Sequence, residues 1–223
     1  MSRVLVIGGA DQGRQVIDAL HAGGVHDVVG VLDRDLAPGT VVAGVEVLGA
    51  DDALETCAGD ARADGFVVAI GDNAARAAVT ARAVAACPAL DVVTVVHPSA
   101  VVAADAVVGP GSIVLAGAVV ANGCRLGRGV LLGIHSSIDH DGTMGDHASL
   151  GPGAVTGGTV RIGQCSAIGL GASVIHGVTV GEHAVVGAGA VVVDDVPARV
   201  VAYGVPCRVV RERTPGEPYL RRP

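Results

Sequence analysis

A histidine followed directly by an aspartate, His140-Asp141, is the pair in this chain best suited to catalysis. A free imidazole titrates near neutral pH, so His140 could take a proton from an amine or hydroxyl as that group attacks an acyl carbon. Asp141 would fix the imidazole tautomer and stabilise the imidazolium that forms. The attacked carbonyl oxygen becomes an oxyanion and needs a backbone N–H donor. The pair therefore predicts general-base chemistry; the alternative is a surface histidine at a corner.

The stretch that must position this pair, residues 96–197, repeats every six residues. Of the seventeen positions taken in steps of six from Val96 to Val192, fifteen are Val, Leu or Ile, and no insertion breaks the register. A helix would repeat near 3.6 residues and a simple strand every 2. A period of six predicts a parallel β-helix, in which coils stack and each short strand buries one aliphatic side chain.

Glycine follows the aliphatic position in ten of these hexads, and we expect it to provide the backbone conformations that turn each corner. The ten glycines are Gly109, Gly127, Gly133, Gly145, Gly151, Gly157, Gly163, Gly169, Gly181 and Gly187.

The residues before the repeat alternate between strand and helix patterns. Strands are expected at 3–9, 28–33, 66–70 and 91–96, and helices at 12–22, 51–58 and 73–86. This order predicts a small Rossmann-like α/β domain with a parallel sheet, whose ligand lies at the carboxyl ends of the strands. We therefore divide the chain into residues 1–95, the β-helix 96–203, and a C-terminal turn and loose tail 204–223.

The glycine loop before the first helix does not by itself identify a cofactor. Gly-Gly-Ala-Asp-Gln-Gly at 8–13 lacks the middle glycine of Gly-x-Gly-x-x-Gly, so a dinucleotide site is weakly supported although Asp33 lies twenty residues after Gly13. Asn73 is a candidate cap for the third helix. Arg76 is either a solvated helix residue or a phosphate ligand. The arginines at 208, 211 and 213 either bind the 3′-phosphate of coenzyme A or are plain surface charge.

Composition excludes several partners. The formal net charge is −7, which argues against a nucleic acid or an anionic membrane as ligand. No apolar run reaches the length of a membrane span, and no secretory signal pattern opens the chain. The five cysteines have no metal-type spacing, and we expect reduced thiols in a cytoplasmic protein.

Taken together, these motifs resemble a known family. The repeat is similar to that of the left-handed β-helix acyltransferases, in which three hexads form one triangular coil. A Rossmann-like domain followed by such a repeat resembles the sugar O- and N-acetyltransferases related to sialic-acid O-acetyltransferase and bacillosamine N-acetyltransferase. The resemblance covers essentially the whole chain. Its motifs are Gly8 to Gly13, Leu32-Asp33, Gly71-Asp72-Asn73 with Arg76, His97-Pro98-Ser99-Ala100, Ile138-Asp139-His140-Asp141 and Gly204-Val205-Pro206.

The resemblance implies acetyl-CoA as co-substrate, a nucleotide-linked sugar as acceptor, no metal, and a homotrimer with sites between neighbouring prisms. It makes His140 the base and Asp141 its orienting acid. The amide N–H of Gly158 is the hydrogen-bond donor to the oxyanion; Gly158 lies one coil on from His140, ~4.7–4.9 Å along the axis. Acetyl-CoA is expected at Gly158, Gly169, Gly171, Gly187, Gly189, Gly204, Pro206 and Arg208. The nucleotide sugar is expected at Gly8, Gly9, Gly13, Asp33, Gly71, Asp72 and Asn73.

The chain also departs from the family pattern. Asp11-Gln12 stands where the family often has glycine-histidine, and an acid there is unfavourable beside a phosphate. Ser149 replaces a second histidine expected nine residues after the first, while His147 sits two places earlier in its hexad. Gly133 replaces an asparagine. These departures bear on the acceptor more than on acetyl transfer.

The leading hypothesis is N-acetylation of a nucleotide-linked amino sugar, and O-acetylation of a sugar is the near rival because the same base serves both. The identity of the sugar and of its nucleotide stays open. A γ-carbonic-anhydrase-like zinc enzyme is a third possibility, since His135 and His140 have the five-residue step of that family, although the third histidine is missing. A nucleotide-sugar-binding protein without catalysis is the fourth.

Overall fold

The computed structural model describes residues 1–220, which form an α/β domain followed by a prism of stacked coils. The α/β domain contains β1 Ser2–Ile7, α1 Asp11–Gly23, β2 His26–Leu32, β3 Val41–Val42, β4 Val45–Gly49, a 3₁₀ turn Asp51–Ala53, α2 Leu54–Ala61, β5 Gly65–Val68, α3 Asn73–Ala86 and β6 Asp91–Val92.

These strands form one sheet in the order β3-β4-β2-β1-β5-β6. The pairs β2–β1, β1–β5, β5–β6 and β2–β4 are parallel, as the alternation of strands and helices predicts. The β3–β4 hairpin, with Ala43 and Gly44 in its turn, was not predicted, because β3 is only two residues long. The expected strand 91–96 is divided: β6 stays in this sheet, whereas Val95–Val96 opens the prism.

The prism has three faces of two-residue parallel strands. Face 1 contains Val95–Val96, Ile113–Val114, Leu131–Leu132, Ser149–Leu150, Ala167–Ile168 and Val185–Val186, and ends with Val200–Tyr203 and Arg208–Glu212. Face 2 contains Val101–Val102, Val119–Val120, Ser137–Ile138, Val155–Thr156, Ser173–Val174 and Val191–Val192. Face 3 contains Val107–Val108, Arg125–Leu126, Thr143–Met144, Arg161–Ile162 and Thr179–Val180.

Each strand pairs with the strand eighteen residues later, as in Ile113 with Leu131, so every hexad forms one side of a coil. The aliphatic column fills the interior, where Val120, Leu132 and Ile138 are fully buried. A second buried column of small side chains lies four residues further along each hexad, and it was not predicted. Its members include Ala118, Cys124, Ala148, Ala154, Ala172 and Ala184. Valines such as Val130, Val160 and Val178 also belong to this column, and nothing larger occurs there because the corners converge on a narrow interior.

The glycines beside the aliphatic positions have a different role from the one predicted. None of the ten has a positive φ; a Cβ on Gly109 would lie 2.5 Å from Gly127 O in the next coil. These glycines lack a Cβ and so allow the backbones of successive coils to pack closely against each other. The left-handed residues that turn the corners lie two places later, as in Gly111, Gly117 and Gly123, and the same column admits His135, Asp141, Thr159 and others.

The α/β domain packs on the N-terminal coils of face 1, which we call its lower half. Val95, Ile113 and Leu131 point outward from that face into a buried cluster with Val16, Ile17 and other residues of the domain. The next outward positions of face 1, namely Ser149, Ala167 and Val185, are left to line a cavity.

The C-terminal segment is more ordered than the predicted loose tail. Arg208–Glu212 pairs antiparallel with Val200–Tyr203, and Arg213 is buried, with its guanidinium 5.8 Å from the centre of the Tyr219 ring. The Tyr219 hydroxyl donates to Gly71 O over 3.4 Å, so the segment returns to the α/β domain. Residues 221–223 lie outside the described residues. Among residues 1–220, no helix has the length and apolarity needed to cross a membrane.

Candidate active site

His140 lies at the edge where face 2 turns into face 3, after Ser137–Ile138 and before Thr143–Met144. Its Nδ1 is 3.0 Å from Asp141 Oδ2, and both side chains are more than half exposed. The hydrogen bond to Asp141 raises the pKa of His140, and the charge of Asp139 adds to the effect. With Nδ1–H facing the carboxylate, Nε2 keeps a free lone pair and is the nitrogen able to act as a base.

Asp141 occupies a left-handed corner, with φ at 57°, and its amide donates to Asn122 O in the preceding coil over 2.9 Å. Aspartate and asparagine tolerate this conformation better than most residues. The corner therefore points the carboxylate back at the neighbouring imidazole.

Gly158 lies against the imidazole ring, one coil above His140. A Cβ on Gly158 would lie 2.5 Å from Cε1 and 2.8 Å from Cδ2 of His140, so only glycine fits beside the ring in this rotamer. Among residues 1–220, no acceptor is hydrogen-bonded to the amide N–H of Gly158. His140, Asp141 and Gly158 are thus brought together, with a free N–H next to a free imidazole nitrogen.

Thr156 is a further residue of this site, and its role was not predicted. It is the one hydroxyl in the aliphatic column, it is buried, and its Oγ1 accepts from Asp139 N over 3.2 Å. Asp139 Oδ1 in turn accepts from His140 N over 2.8 Å. The break in the aliphatic pattern at Thr156 was the available signal, because a buried hydroxyl requires a partner.

A second group of predicted residues meets at the carboxyl ends of β1, β2 and β5. Of these, Gly8, Asp33 and Gly71 line a cavity of about 640 Å³, which we call the strand-end cavity, whereas Gly9 and Gly13 are not part of its lining. Gly8 has a φ of 106°, and a Cβ on Gly13 would overlap Gly8 O, so both positions require glycine. Asp33 Oδ2 accepts from Gly9 N over 2.6 Å, which fixes the glycine loop against the end of β2. Asp11, the unfavourable acid of this loop, is ion-paired with Arg14.

Asn73 and Arg76 do not line the strand-end cavity. Asn73 is buried, and its Nδ2 donates to Ser166 O of the prism over 3.1 Å. Arg76 is also buried and is therefore neither solvated nor a phosphate ligand. Its five hydrogen bonds reach Gly129 O, His147 O, Ile70 O, Gly71 O and Asn73 Oδ1. Burial lowers the pKa of Arg76 to about 10, so it remains charged at neutral pH.

Asp72, rather than Asn73, caps α3: its Oδ1 accepts from Ala75 N over 3.0 Å. The loop Gly71-Asp72-Asn73 therefore positions α3 and joins the two domains, and Gly71 is its member that reaches the cavity wall.

A second cavity, of about 450 Å³, lies on the upper half of face 1 and is mainly apolar; we call it the face-1 cavity. Gly169 and Gly187 line the face-1 cavity, and their predicted role was to let a cofactor approach the backbone. A Cβ on Gly169 would lie 2.7 Å from Ala188 N, and one on Gly187 would lie 2.7 Å from Tyr203 Cβ, so stacking alone explains both. Gly171 and Gly189 face open space at the adjoining edge.

The remaining predicted residues lie at the top of the prism. Gly204 and Pro206 form the turn before the strand Arg208–Glu212. Arg208 is exposed, with Nη1 3.4 Å from Asp194 Oδ2. Arg211 pairs with Glu217, and Arg213 donates to His183 O. The three arginines therefore do not form one phosphate-binding cluster.

The two groups of predicted residues lie on opposite sides of one chain. The face-1 cavity lies on face 1, and the strand-end cavity lies within the α/β domain that packs on the same face. His140 occupies the edge between faces 2 and 3, which is the edge opposite face 1 in a triangular prism. His135 lies at another edge, between faces 1 and 2. Within residues 1–220, no three His, Cys, Asp or Glu side chains are grouped to hold a metal ion.

The fold is that of a left-handed β-helix acyltransferase with an α/β domain at its N-terminus. Residues 3–83 match the PglD N-terminal domain family. GDP-perosamine N-acetyltransferase from Caulobacter crescentus, solved with CoA and GDP-perosamine, is similar at 35% identity and a TM-score of 0.89; 95% of this chain and 98% of that chain are covered. The acetyltransferase domain of PglB from Neisseria gonorrhoeae, solved with acetyl coenzyme A, is similar at 33% identity and a TM-score of 0.87, covering 94% and 99%.

No curated protein sequence matches the chain. The two solved structures nevertheless identify the family of the chain, because each is more than 30% identical to it and covers more than nine tenths of it. The chain belongs to the hexapeptide-repeat sugar acetyltransferase family, and the predicted fold and family are confirmed.

Proposed function

We propose that the protein transfers the acetyl group of acetyl-CoA to the amine of a nucleotide-linked amino sugar. The observation that carries this proposal is the His140-Asp141 pair next to the free amide N–H of Gly158. The similar enzyme from Caulobacter crescentus binds CoA and GDP-perosamine, and the PglB domain binds acetyl-CoA, which supports both substrates.

In the proposed reaction, Nε2 of His140 takes a proton from the sugar amine as its nitrogen bonds to the thioester carbon. The carbonyl oxygen becomes negative and accepts from the N–H of Gly158. The C–S bond then breaks, and the departing sulfur of coenzyme A takes the proton from the imidazolium. Asp141 stabilises that imidazolium through Nδ1–H, so no metal is needed in any step.

The two cavities suggest how the acceptor lies. Their linings share three residues, Gln12, Gly71 and Leu220, which form a neck between them. A nucleotide held in the strand-end cavity by Gly8, Asp33 and Gly71 can pass its sugar through this neck toward face 1. The Nε2 of Gln12 is buried without a partner among residues 1–220, which makes it a donor for a phosphate or sugar oxygen at the neck.

A sugar at the neck cannot reach His140 of its own chain, because His140 lies on the opposite edge of the prism. We therefore propose that the base comes from a second copy in a cyclic trimer. Acetyl-CoA would lie along the coils at this boundary, close to the open corners Gly171 and Gly189, with Gly204, Pro206 and Arg208 above them. The five free cysteines suit the reducing cytoplasm, where we place the protein.

The activity is tested by measuring coenzyme A release with acetyl-CoA and a panel of GDP- and UDP-linked sugars. We expect turnover with amino sugars and none with the matched hydroxyl sugars. Turnover with the hydroxyl sugars instead would make the protein an O-acetyltransferase, and no turnover with either would overturn acetyl transfer to these acceptors.

The shared site is tested by mixing two inactive chains. His140→Ala lacks the base, and Ala78→Phe fills the strand-end cavity from an exposed position on α3. Co-expressed chains assort randomly, and each mixed trimer then contains one intact junction, so activity should return to about a quarter of wild type. Sites contained within single chains would give no recovery, because every chain carries one defect. A scattering mass near 22 kDa would exclude the trimer itself.

A further inference from the structure

The strand-end cavity ends in a cluster of charged residues that acetyl transfer does not use: Arg34, Asp51 and Arg82. Nη2 of Arg34 and Nη2 of Arg82 each donate to Asp51 Oδ2 over 2.8 Å. The Asp51 side chain is only 14% exposed, whereas both arginines are more than half exposed. One sheltered oxygen thus orients two guanidinium groups, and within residues 1–220 their other N–H groups have no acceptor.

This cluster is poorly suited to binding a phosphate. The carboxylates of Asp33 and Asp35 also line this end of the cavity, so three acids face two arginines and the local charge is negative. Burial alone would raise the pKa of Asp51, but the hydrogen bonds and charges of Arg34 and Arg82 lower it overall, so Asp51 stays ionised. Free guanidinium donors in a negative setting suit a neutral group that presents acceptor atoms.

The direction of the nucleotide follows from the placement of the neck. Helix α3 runs from the Gly71 loop to the cluster, and Ala75 and Arg82 are about 10 Å apart along its axis, at 1.5 Å per residue. The acetylated sugar must point through the neck beside Gly71. The opposite end of the molecule, the nucleobase, then reaches Arg34 and Arg82.

The walls between the neck and the cluster suit a flat ring. Ala75, Ala78 and Val79 line one side from α3, and Ile7 and Leu32 come from the ends of β1 and β2. Small and aliphatic side chains here leave a slot for a planar base without aromatic stacking. Specificity must therefore come from the polar atoms at the edge of the base.

We propose that Arg34 and Arg82, held by Asp51, recognise guanine, so that the acceptor is a GDP-linked amino sugar. An arginine donates two parallel hydrogen bonds to guanine O6 and N7, which are adjacent acceptors. Adenine offers an acceptor beside a donor at the same edge, and uracil and thymine lack a second adjacent acceptor there. This inference rests on the proposed function, since it assumes that the strand-end cavity holds the nucleotide of the acceptor.

The test is calorimetric titration of the full chain with GDP, UDP, dTDP and ADP. We expect GDP to bind at least about tenfold more tightly than the other three, and Arg82→Met and Arg34→Met each to weaken GDP binding by about tenfold. Both variants should leave UDP binding within about twofold of wild type, which a loss of phosphate contacts would not do. Arg62→Met, an exposed arginine outside the cavity, is the matched control.

Tighter binding of UDP or dTDP would overturn the guanine assignment and leave acetyl transfer to an amino sugar intact. An equal loss of all four nucleotides in Arg82→Met and Arg34→Met would also overturn it, because the arginines would then contact phosphate. If none of the four nucleotides binds, the strand-end cavity is not the acceptor site, and this inference falls with that part of the proposed function. Coenzyme A release with a GDP-linked sugar, measured separately, distinguishes the cases.

Discussion

The prism and the α/β domain solve the same problem, holding chemical groups in place, in opposite ways. In the prism, each residue is fixed by its equivalent eighteen positions away, as Leu131 is by Ile113 and Ser149. In the α/β domain, the groups at the strand ends are fixed by distant and unlike partners, such as Gly9 by Asp33 and Arg76 by Gly129. In a repetitive sequence, residues with a special role can therefore be recognised because they depart from the repeat. A sequence without a repeat offers no such reference pattern.

The exceptions in the prism gather around His140. Thr156 replaces an aliphatic residue, and Asp141 occupies a corner that is often glycine. Gly158 lies two places after the aliphatic position, where its small size serves the imidazole of His140. In the α/β domain, by contrast, the cavity arises from the general geometry of parallel strands, and no pattern singles out the charged side chains Arg34, Asp51 and Arg82 that line it.

The largest expected effect tests whether the prism supplies the base. His140→Ala should reduce kcat about 10²–10⁴-fold with little change in acetyl-CoA affinity, because a general base acts mainly in the transition state. The measurement is steady-state coenzyme A release together with calorimetric binding of acetyl-CoA. His176 lies at the same edge two coils further on, with Gly177 beside it rather than an acid, so His176→Ala is the matched control. Similar rates for the two variants would contradict the assignment.

The next largest effect tests the joint between the two regions. Arg76→Met should lower the free energy of unfolding by roughly 3–5 kcal/mol, because it leaves several buried carbonyl groups without a donor. Arg82→Met lies on the same helix but is exposed, and loss of its ion pair should change stability by less than about 1 kcal/mol. Urea titration followed by circular dichroism measures both. Equal stabilities would mean that Arg76 does not join the domains.

The contrast between the two regions also explains what could be predicted from sequence. The prism was predicted in detail because one residue in six determines its register, and the faces follow from counting. The role of its glycines was predicted wrongly. The six-residue period gives the position of Gly109, but it does not show whether glycine is required there for a left-handed backbone conformation or for close contact with the next coil. The placement of His140 opposite face 1 was missed, because it depends on which face the α/β domain covers.

In the α/β domain, the strands and helices were predicted, but their long-range contacts were not. Arg76 and Asn73 resemble surface residues of an alanine-rich helix, and only the prism beneath them makes them buried. The ordered segment at Tyr219 was missed for the same reason, since its partner Gly71 lies 148 positions earlier in the sequence. Long-range contacts of this kind produce no periodic pattern in the amino-acid sequence.

A smaller effect tests whether Gly158 must be glycine because of the imidazole. Gly158 has no positive φ, so Gly158→Ala adds a methyl group against His140 without backbone strain. Displacing the ring by about 1 Å should reduce kcat roughly 10²-fold. Gly59, in α2, faces open space, and Gly59→Ala should leave activity unchanged and add about 0.5–1 kcal/mol of stability. Full activity in Gly158→Ala would show that the imidazole has another working position.

The smallest effect is a shift in pH dependence, and it separates the two roles of Asp141. The hydrogen bond from His140 Nδ1 to Asp141 raises the pKa of the imidazole. A base works only when neutral, so activity falls as pH drops through that raised pKa. Asp141→Asn keeps a residue that tolerates the left-handed corner but removes the charge, so the acidic limb of kcat/KM should move to lower pH. The plateau should fall about tenfold, because the imidazolium loses its partner. A lower plateau with an unmoved limb would mean that Asp141 orients the ring without tuning it.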